Sequence, residues 1–389
     1  MSHRVAPHRI AIVGAGPSGF YAADGLLRGD PAVKIDLIDR LPTPFGLVRA
    51  GVAPDHQGTK AVARQFDKLL AQPTVRFRGG IEVGRDISWE ALRAAYDAVV
   101  VATGMVIDRR LGVSSEELPH VWGSWRFVAW LNGHPDFRSG PDLGRAKRVA
   151  VIGNGNVAID VARVLAKSAD EMAKSDIGTE AGAAIAAAPL AEIEVIGRRG
   201  PEHASFTNNE LAEMGRLARA VAVTDATALD AAVPATDPTP ERLRKTKNLE
   251  ILKGFAGNAP GSKPITLRFR FHTPAAALRL EDYDLVITCI GYGGADFPRG
   301  DGIFPVGWAK RGPNGTIPTN RADSHAVMQQ LLAWLKDRAP KNAADPLPAA
   351  IDAAGWQRID RAEIAAGAAE GRPRVKLTDW QSLLKVAKG

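Results

Sequence analysis

Residues 9–19 read RIAIVGAGPSG, a basic residue and four apolar residues followed by the pattern Gly14-x-Gly16-x-x-Gly19. The stretch leads into FYAADGLL, whose apolar residues have helical spacing, so it predicts a strand, a tight turn and a helix. In such a unit the first glycine permits the turn, the second lets the backbone approach a pyrophosphate, and the third lets the helix pack on the strand. Free N–H groups at the start of the helix face the pyrophosphate. The stretch therefore predicts a dinucleotide-binding unit.

The same unit occurs a second time. Residues 148–158 read RVAVIGNGNVA, with the pattern Gly153-x-Gly155-x-x-Ala158, and the helical stretch IDVARVLA follows. A single glycine pattern of this kind also arises for steric reasons alone. Two complete copies in one chain favour at least one bound dinucleotide.

Two further stretches repeat together with the glycine turns. Residues 96–104 read YDAVVVATG, and residues 283–292 read YDLVITCIGY. Each has Tyr-Asp before an apolar run that reaches a glycine, which is typical of a buried parallel strand. Because each follows its own glycine unit, we expect each half of the chain to contain a nucleotide-binding sheet closed by such a strand. Two sheets predict two different dinucleotides.

The ends of two predicted strands distinguish these dinucleotides. VKIDLIDR brings Asp39 to a point 20 residues beyond Gly19, the spacing of a carboxylate that binds ribose hydroxyls; a solvated acid is the alternative. EIEVIGRRG, residues 192–200, places Arg198 and Arg199 at the corresponding point after the second unit. Two guanidinium groups bind a 2′-phosphate through charge-assisted hydrogen bonds, which indicates NADPH rather than NADH. An exposed basic turn is the alternative.

The composition narrows the class of protein. The chain has 389 residues, 45% hydrophobic and 24% charged, which is usual for a folded protein of one large or two ordinary domains. No apolar run approaches the roughly 20 residues of a membrane helix, and the stretch from Ile10 to Val13 is too short for a signal peptide. The single cysteine, Cys289, excludes an internal disulfide and lies in an apolar run, where burial is its usual role. We expect no membrane attachment and a cytoplasmic location.

The net charge of +7 raises the question of an anionic partner. The basic residues are scattered, aromatic residues make up only 6% of the chain, and no nucleic-acid-binding motif is present. An acidic protein or an anionic cofactor explains the charge equally well. We therefore predict no nucleic-acid partner. The sequence shows no catalytic nucleophile, no dithiol and no cluster of metal-ligating residues, and we predict no metal site.

Three less regular stretches also carry predictions. Residues 220–240 are predicted to be rich in loops. Residues 240–256, PERLRKTKNLEILKGFA, predict a basic amphipathic helix that leads to a strand. The chain after residue 340 is rich in Ala and Pro and predicts surface helices and turns.

Six stretches resemble the adrenodoxin-reductase-like ferredoxin–NADP reductases, a family of flavoproteins. In chain order they are IAIVGAGPSGFYAA, PTPFGLVRAGVAPDH, YDAVVVATG, VAVIGNGNVAIDVARVL, VIGRRGPEHASFTNNEL and GWAKRGPNGTI, and they extend from residue 9 to about residue 324. FGLVRAGVAPDH and GWAKRGP separate this family from disulfide reductases of the same architecture. The resemblance implies FAD in one domain and NADPH in the other.

The resemblance also implies roles for individual residues. Positions expected at FAD are, besides Gly14 and Gly19 of the turn, Ala15, Gly16, Asp39, Leu47 and Val83, with Trp308, Gly315, Thr316 and Ile317 at the flavin ring. Positions expected at NADPH are Gly153, Asn154, Gly155, Asn156 and Val157 at the pyrophosphate, Arg198 and Arg199 at the 2′-phosphate, and Glu210 on the adenosine side. His56 and Asp160 match the polar residues near the flavin and nicotinamide and are the predicted catalytic pair; a turn cap is the alternative for His56.

The chain departs from the family pattern in two regions. It reads GPNGTIPTN where the family usually has GPTGVIGTN, so Asn314, Thr316 and Pro318 are replacements. Proline is tolerated in the first turn of a helix, so the helix there is expected to form. The region 271–307 is shorter than in the family, which normally carries extra strands there.

These observations predict an α/β fold of two Rossmann-like dinucleotide-binding domains with parallel sheets. The FAD domain is predicted to be discontinuous, with residues 1–106 and 292–389, and the NADPH domain, residues 107–291, is inserted into it.

The predicted activity is hydride transfer from NADPH to FAD, followed by one-electron transfers to an acidic ferredoxin. The alternatives are an NADPH-dependent flavin oxidase or monooxygenase component and a non-catalytic nucleotide-binding subunit. The basic residues Arg242, Arg244 and Lys247 predict the docking face for the ferredoxin, with a merely solvated helix as the alternative.

Overall fold

The computed structural model describes residues 6–229, 239–315 and 317–389. Its strands, in chain order, are β1 (Arg9–Val13), β2 (Lys34–Asp39), β3 (Val75–Gly79), β4 (Ala98–Val101), β5 (Ile107–Asp108), β6 (Val121–Gly123), β7 (Arg148–Ile152), β8 (Glu192–Ile196), β9 (Ala220–Thr224), β10 (Ile265–Arg270), β11 (Leu285–Thr288), β12 (Tyr292–Gly293) and β13 (Ile303–Pro305). Its helices, in chain order, are α1 (Pro17–Gly29), α2 (Leu47–Ala50), α3 (Gln57–Lys60), α4 (Ala63–Leu70), α5 (Trp89–Ala95), α6 (Ser124–Leu131), α7 (Asn156–Ala166), α8 (Ala169–Met172), α9 (Thr179–Ala187), α10 (Asn208–Met214), α11 (Pro240–Ala256), α12 (Trp308–Arg311), α13 (Ile317–Leu335), α14 (Ala353–Ala369) and α15 (Trp380–Lys388).

The strands form two parallel sheets. The first has the order β13-β4-β1-β2-β3, and the second has the order β6-β11-β7-β8-β10-β9. The apolar runs at Ile10 and Val149 become β1 and β7, inside their sheets, and both residues are fully buried. All strands of the second sheet lie in sequence between β4 and β13 of the first. The parallel pairing confirms the predicted α/β class with one unit inserted in the other.

Each glycine turn packs on the strand that closes its own sheet. Gly14 has φ +110°, and a Cβ atom there would lie 2.3 Å from the carbonyl oxygen of Ala102, just after β4. Gly153 has φ +151°, and its Cβ would lie 2.3 Å from the carbonyl oxygen of Cys289, just after β11. Any side chain would therefore separate the turn from the closing strand. This contact explains why the two sequence patterns repeat together.

A short antiparallel ribbon joins the two units. β5 pairs with β12, and Asp108 lies opposite Tyr292. The Asp108 carboxylate accepts the backbone N–H of Trp125 at 2.8 Å, at the start of α6, while the Tyr292 and Ser124 hydroxyls are 3.2 Å apart. Both connecting strands are therefore fixed to α6. The predicted domain boundaries fall at this ribbon and stay predictions.

Two local predictions were wrong in part. The stretch 220–240, predicted to be rich in loops, begins with β9, an edge strand that is buried along its whole length and is covered by α11, while residues 230–238 lie outside the described residues. The tail after residue 340 does form helices, but it also places Glu363 and Lys376 in the interior, where Arg49 and Asp176 are among their partners. Of the helices in the described residues, none is both long enough and apolar enough to cross a bilayer.

Candidate functional site

The first glycine turn is fixed by the carboxylate at the end of β2. Asp39 accepts the backbone N–H of Ala15 at 2.8 Å on one oxygen and the N–H of Leu41 at 2.9 Å on the other. Burial raises the pKa of Asp39. A Cβ on Gly16 would meet nothing closer than 3.8 Å, whereas one on Gly19 would lie 2.0 Å from the carbonyl oxygen of Gly14. The turn is thus closed against its helix and open beside Gly16, which fits the approach of a pyrophosphate.

Three further predicted FAD positions pack against apolar clusters. Leu47 begins α2 and packs with Trp308 against an apolar cluster that includes Tyr292. The Trp308 ring stacks on Tyr292 with centroids 6.1 Å apart, and its indole N–H donates to the carbonyl of Asn314 at 3.2 Å. Val83 packs against the cluster beneath the first sheet. The two units therefore share an apolar contact close to the predicted flavin positions.

The altered GPNGTIPTN stretch keeps its helix. Pro318 is the second residue of α13, in the turn where a missing N–H removes no helical hydrogen bond. Gly315 has φ +85° and is exposed, and Ile317 begins the helix. Thr316, also predicted at FAD, lies outside the described residues.

The second glycine turn has an unsatisfied polar group beside it. Ser205 donates its backbone N–H to the carbonyl of Asn154 at 2.7 Å, and Asn156 accepts the N–H of Thr207 at 2.8 Å. These bonds tie the turn to the loop before α10. The Asn154 side-chain oxygen is buried and has no hydrogen-bond partner among the described residues. A buried acceptor of this kind fits a ligand donor.

The remaining turn residues lie at the start of α7. Gly155 is the N-cap residue and makes no side-chain cap, and Val157 lies in the first turn. The helix therefore presents uncapped N–H groups where a pyrophosphate is predicted.

Arg198 and Arg199 extend into solvent from a fixed backbone. Both side chains are exposed, directly after β8. The N–H of Gly197 donates to the carbonyl of Arg270 at 2.8 Å, and the carbonyl of Arg199 accepts from His272 at 3.1 Å. The two guanidinium groups are therefore held at the carboxyl edge of the second sheet and remain accessible to an anion.

Gly197 lies at the position that Asp39 occupies in the first unit, against the side chain of Asn154. A Cβ there would lie 1.7 Å from the amide nitrogen of Asn154, so any side chain would have to displace that amide. The glycine thus leaves this place to the Asn154 side chain and puts no negative charge beside Arg198 and Arg199.

His56 lies between two carboxylates of the second unit. Its Nδ1 is 3.8 Å from Asp160 on α7, and its Nε2 is 3.4 Å from Glu210 on α10. Burial raises the pKa of Asp160 to about 6, although Arg163 and His56 oppose the rise. The structure thus brings the predicted catalytic pair together. Glu210, predicted on the adenosine side, has its ionic contacts here with His56 and Arg163.

This cluster also contains four charged residues for which no role was predicted, Asp55, Arg163, Lys167 and Glu213. Arg163 is fully buried and contacts Asp55, Asp160 and Glu210. Lys167 bridges Asp55 at 2.8 Å and Glu213 at 2.7 Å. The signal was present in the sequence, because Asp160 and Arg163 fall on one face of a largely apolar helix and Lys167 directly follows its last residue.

The ligand atoms of His56, Glu210 and Glu213 lie close enough together to hold a metal ion. Glu210 and Glu213 are already paired with Arg163 and Lys167, however, and these cations disfavour a metal.

Known proteins match this architecture and these residues. Residues 8–179 match the family described as pyridine nucleotide-disulphide oxidoreductase. A Mycobacterium tuberculosis protein named "Probable ferredoxin/ferredoxin–NADP reductase" is 39% identical, over 98% of this chain and 76% of its own. This chain belongs to the ferredoxin–NADP reductase family. NADPH-ferredoxin reductase FprA of M. tuberculosis is a further member, 35% identical over 98% of this chain and all of its own.

A solved structure of the family shows the same fold. M. tuberculosis FprA in complex with NADPH superposes with a TM-score of 0.89 at 32% identity, covering 98% of this chain and all of the FprA chain. The fold of FprA therefore extends over almost the whole chain.

Proposed function

We propose that this protein is a flavoprotein that carries electrons from NADPH through FAD to a ferredoxin-type iron–sulfur protein. The observation that carries the proposal is the contrast between two equivalent glycine turns. The first is fixed by the Asp39 carboxylate, while the second is followed by the exposed Arg198 and Arg199. This contrast fits two different dinucleotides, one with free ribose hydroxyls at the first turn and one with a 2′-phosphate at the second. Relatives of this chain that are named NADPH-ferredoxin reductase support electron flow from NADPH to a ferredoxin.

The residues of the first unit fit FAD. The turn from Gly14 to Gly19 leaves space beside Gly16 for a pyrophosphate, and Asp39 keeps acceptor lone pairs for ribose hydroxyls after its two backbone bonds. Leu47, Val83, Trp308, Gly315, Thr316 and Ile317 are the proposed remaining contacts.

The residues of the second unit fit NADPH. The turn from Gly153 to Val157 would bind the pyrophosphate at the start of α7. The unpaired oxygen of Asn154 would accept a hydrogen bond from a ribose hydroxyl of the same coenzyme, because the pyrophosphate itself offers no donor. Arg198 and Arg199 would bind the 2′-phosphate.

The protein's contribution to the reaction is positioning and exclusion of water. When bound, the two cofactors supply the hydride transfer and the one-electron steps. His56 and Asp160 would orient the reacting region and hold a proton near it, since a carboxyl group with a pKa of about 6 is partly protonated near neutral pH.

The proposal includes an acidic partner that docks on α11. Lys247 and Leu243 lie on the solvent side of this helix, where Leu243 is 74% exposed and Lys247 pairs with Glu250 at 3.0 Å. Arg242, next to Leu243 in the chain, is half-buried. Arg244 instead donates to the carbonyls of Ala204 and Phe206 and so also supports the fold. Reversal of Arg242 and Lys247 alone therefore tests docking without breaking this support.

The docking test compares Arg242→Glu/Lys247→Glu with Arg64→Glu/Lys68→Glu, which makes the same charge change on exposed residues of α4. We expect ferredoxin-dependent turnover at low salt to fall roughly tenfold or more in the first variant only. Reduction of a small neutral dye should stay unchanged in both. Equal ferredoxin turnover in the two variants at low salt would exclude this face.

The spectrum of the purified protein tests the function itself. We expect a yellow protein that releases FAD on acid precipitation, bleaches anaerobically with NADPH and then reduces a ferredoxin. Release of FMN, or no bleaching, would overturn the proposal. Peroxide formation with no ferredoxin reduction would indicate a flavin oxidase instead. A cytoplasmic location stays a prediction from the sequence.

A further inference from the structure

Arg163 is the centre of the ionic cluster around His56. Its side chain is fully buried, and its Nε and Nη2 atoms donate to the two oxygens of Asp55 at 2.7 and 3.0 Å. Its Nη1 donates to Glu210 at 2.9 Å and lies 2.7 Å from Asp160. One guanidinium group therefore lies within 3.0 Å of three carboxylates, two of which flank the imidazole of His56, and a fourth carboxylate, that of Glu213, lies 3.8 Å from its Nε.

These contacts join the two units of the fold. Asp55 and His56 are adjacent in the loop before α3, in the first unit, whereas Asp160 and Arg163 lie on α7 and Glu210 on α10, in the second. The bidentate bond to Asp55 fixes the loop that carries His56 against the helix that begins at the second glycine turn. The position of His56 relative to that turn thus depends on Arg163.

The charges of the cluster also depend on Arg163. Four carboxylates, from Asp55, Asp160, Glu210 and Glu213, face three basic groups, from His56, Arg163 and Lys167. Lys167 neutralises only the side formed by Asp55 and Glu213. Without Arg163, the counter-charge that the described residues leave to Asp160 and Glu210 is His56 alone.

We infer that Arg163 is a positioning residue, which holds His56, Asp160 and Glu210 in their reactive arrangement by anchoring them to Asp55 across the two units. This inference rests on the proposed function, because the reaction whose geometry it sets is the reduction of bound flavin by NADPH. Arg163 itself is buried behind the carboxylates and contacts neither coenzyme turn in the structure.

The test is the rate of flavin reduction by NADPH, measured by anaerobic stopped flow from pH 5 to pH 9. In Arg163→Gln we expect the rate to fall roughly 10–100-fold, because a misplacement of about 1 Å costs up to about 100-fold. The midpoint of the pH profile should rise by about one unit, because loss of a cation within 4 Å raises the pKa of a carboxyl group by about that much or more. Arg163→Lys restores the charge but not the two-pronged bond, so it should restore the midpoint and only part of the rate.

Asp55→Asn tests the other end of the same bond. This variant also loosens the anchor and should slow the reduction, but it removes a negative charge, so the midpoint should move to lower pH. Opposite shifts from the two ends of one ion pair are not produced by a general loss of stability. Arg76→Gln is the control for stability, because it breaks the 2.6 Å pair with the buried Asp36 outside this cluster. It should change neither rate nor midpoint.

Several outcomes would overturn the inference. They are a pH-independent rate in the parent protein, an unchanged rate and midpoint in both Arg163→Gln and Asp55→Asn, or equal effects in Arg76→Gln. If Arg163→Gln is recovered without flavin, Arg163→Lys and Asp55→Asn decide the question. A parent protein that NADPH does not bleach would instead refute the proposed function.

Discussion

Asp176 lies between two buried lysines and is the one carboxylate of the described residues that pairs with them, so its removal should destabilise the protein strongly. Its oxygens lie 2.7 Å from the Nζ of Lys60 and 2.9 Å from that of Lys376. Both ammonium groups also donate to the side-chain oxygen of Asn132, at 2.6 and 3.0 Å. The side chains of the three charged residues are only 4%, 8% and 1% exposed, in the order Asp176, Lys60, Lys376. Solvent therefore cannot replace the lost charge.

The expected magnitude follows from these contacts. Removing one partner of a buried ion pair costs about 3–5 kcal/mol, and Asp176→Asn leaves two ammonium groups without a counter-charge. Lys376→Met leaves a one-to-one pair between Lys60 and Asp176 and places an apolar group of similar length in the interior. We expect the free energy of unfolding to fall by about 3–5 kcal/mol in Asp176→Asn and to change by no more than about 1 kcal/mol in Lys376→Met.

The destabilisation by Asp176→Asn should become smaller as the pH falls. Burial raises the pKa of Asp176, but the two ammonium groups outweigh it and lower that pKa to about 2 from an ordinary value of 3.8. A carboxyl group whose pKa is lower in the folded state stabilises the protein above pH 4, and this stabilisation is lost as the pH falls towards 2. The shift alone corresponds to roughly 2.5 kcal/mol. The difference between parent and Asp176→Asn should therefore shrink below pH 4.

Urea unfolding, monitored by tryptophan fluorescence, measures these differences in unfolding free energy. The comparison requires that the slope of the free energy against urea concentration is the same in all variants. Asp345→Asn is a suitable control, because that carboxylate is 35% exposed and pairs with Arg76 and Arg78 at 3.4 and 3.2 Å. It should cost at most about 1 kcal/mol. The reasoning would be refuted if Asp176→Asn lay within about 1 kcal/mol of the parent at pH 7, or if Lys376→Met were equally destabilised.

Three further predictions concern the second unit. Replacing Arg198 and Arg199 with Gln should lower the preference for NADPH over NADH by on the order of 10²–10⁴ in kcat/KM, and an unchanged ratio would show that they do not bind the phosphate. Gly197→Asp should weaken both coenzymes rather than create a preference for NADH, because its Cβ would lie 1.7 Å from the Asn154 amide nitrogen; a gain in NADH affinity would contradict this. Burial raises the pKa of the Cys289 thiol, so a thiol reagent should label it only after unfolding in urea, and rapid labelling of the folded protein would show that the thiol is accessible.

The errors of sequence reasoning have a common physical cause. β9 reads AVAVT, an apolar run of only five residues at the edge of its sheet, and its burial depends on α11, which packs over it. Lys376 belongs to the tail that was predicted to lie at the surface. Its side chain is nevertheless only 1% exposed, because its ammonium group pairs with Asp176 and donates to Asn132 in the interior. In both cases burial depends on a partner from another element, so the local sequence alone does not show it.

The sequence by itself determined the two glycine turns, their helices, the paired closing strands and the opposite charges at the ends of β2 and β8. These features depend on neighbouring residues, because backbone sterics and strand or helix periodicity act over a few positions. Only the tertiary structure decided which charges meet. Arg163 and Asp55 are 108 residues apart, and their contact, which fixes His56 beside Asp160 and Glu210, exists only when the second unit packs against the first. A buried charge is tolerated only with its partner in place, so the identity of that partner is a property of the packed fold.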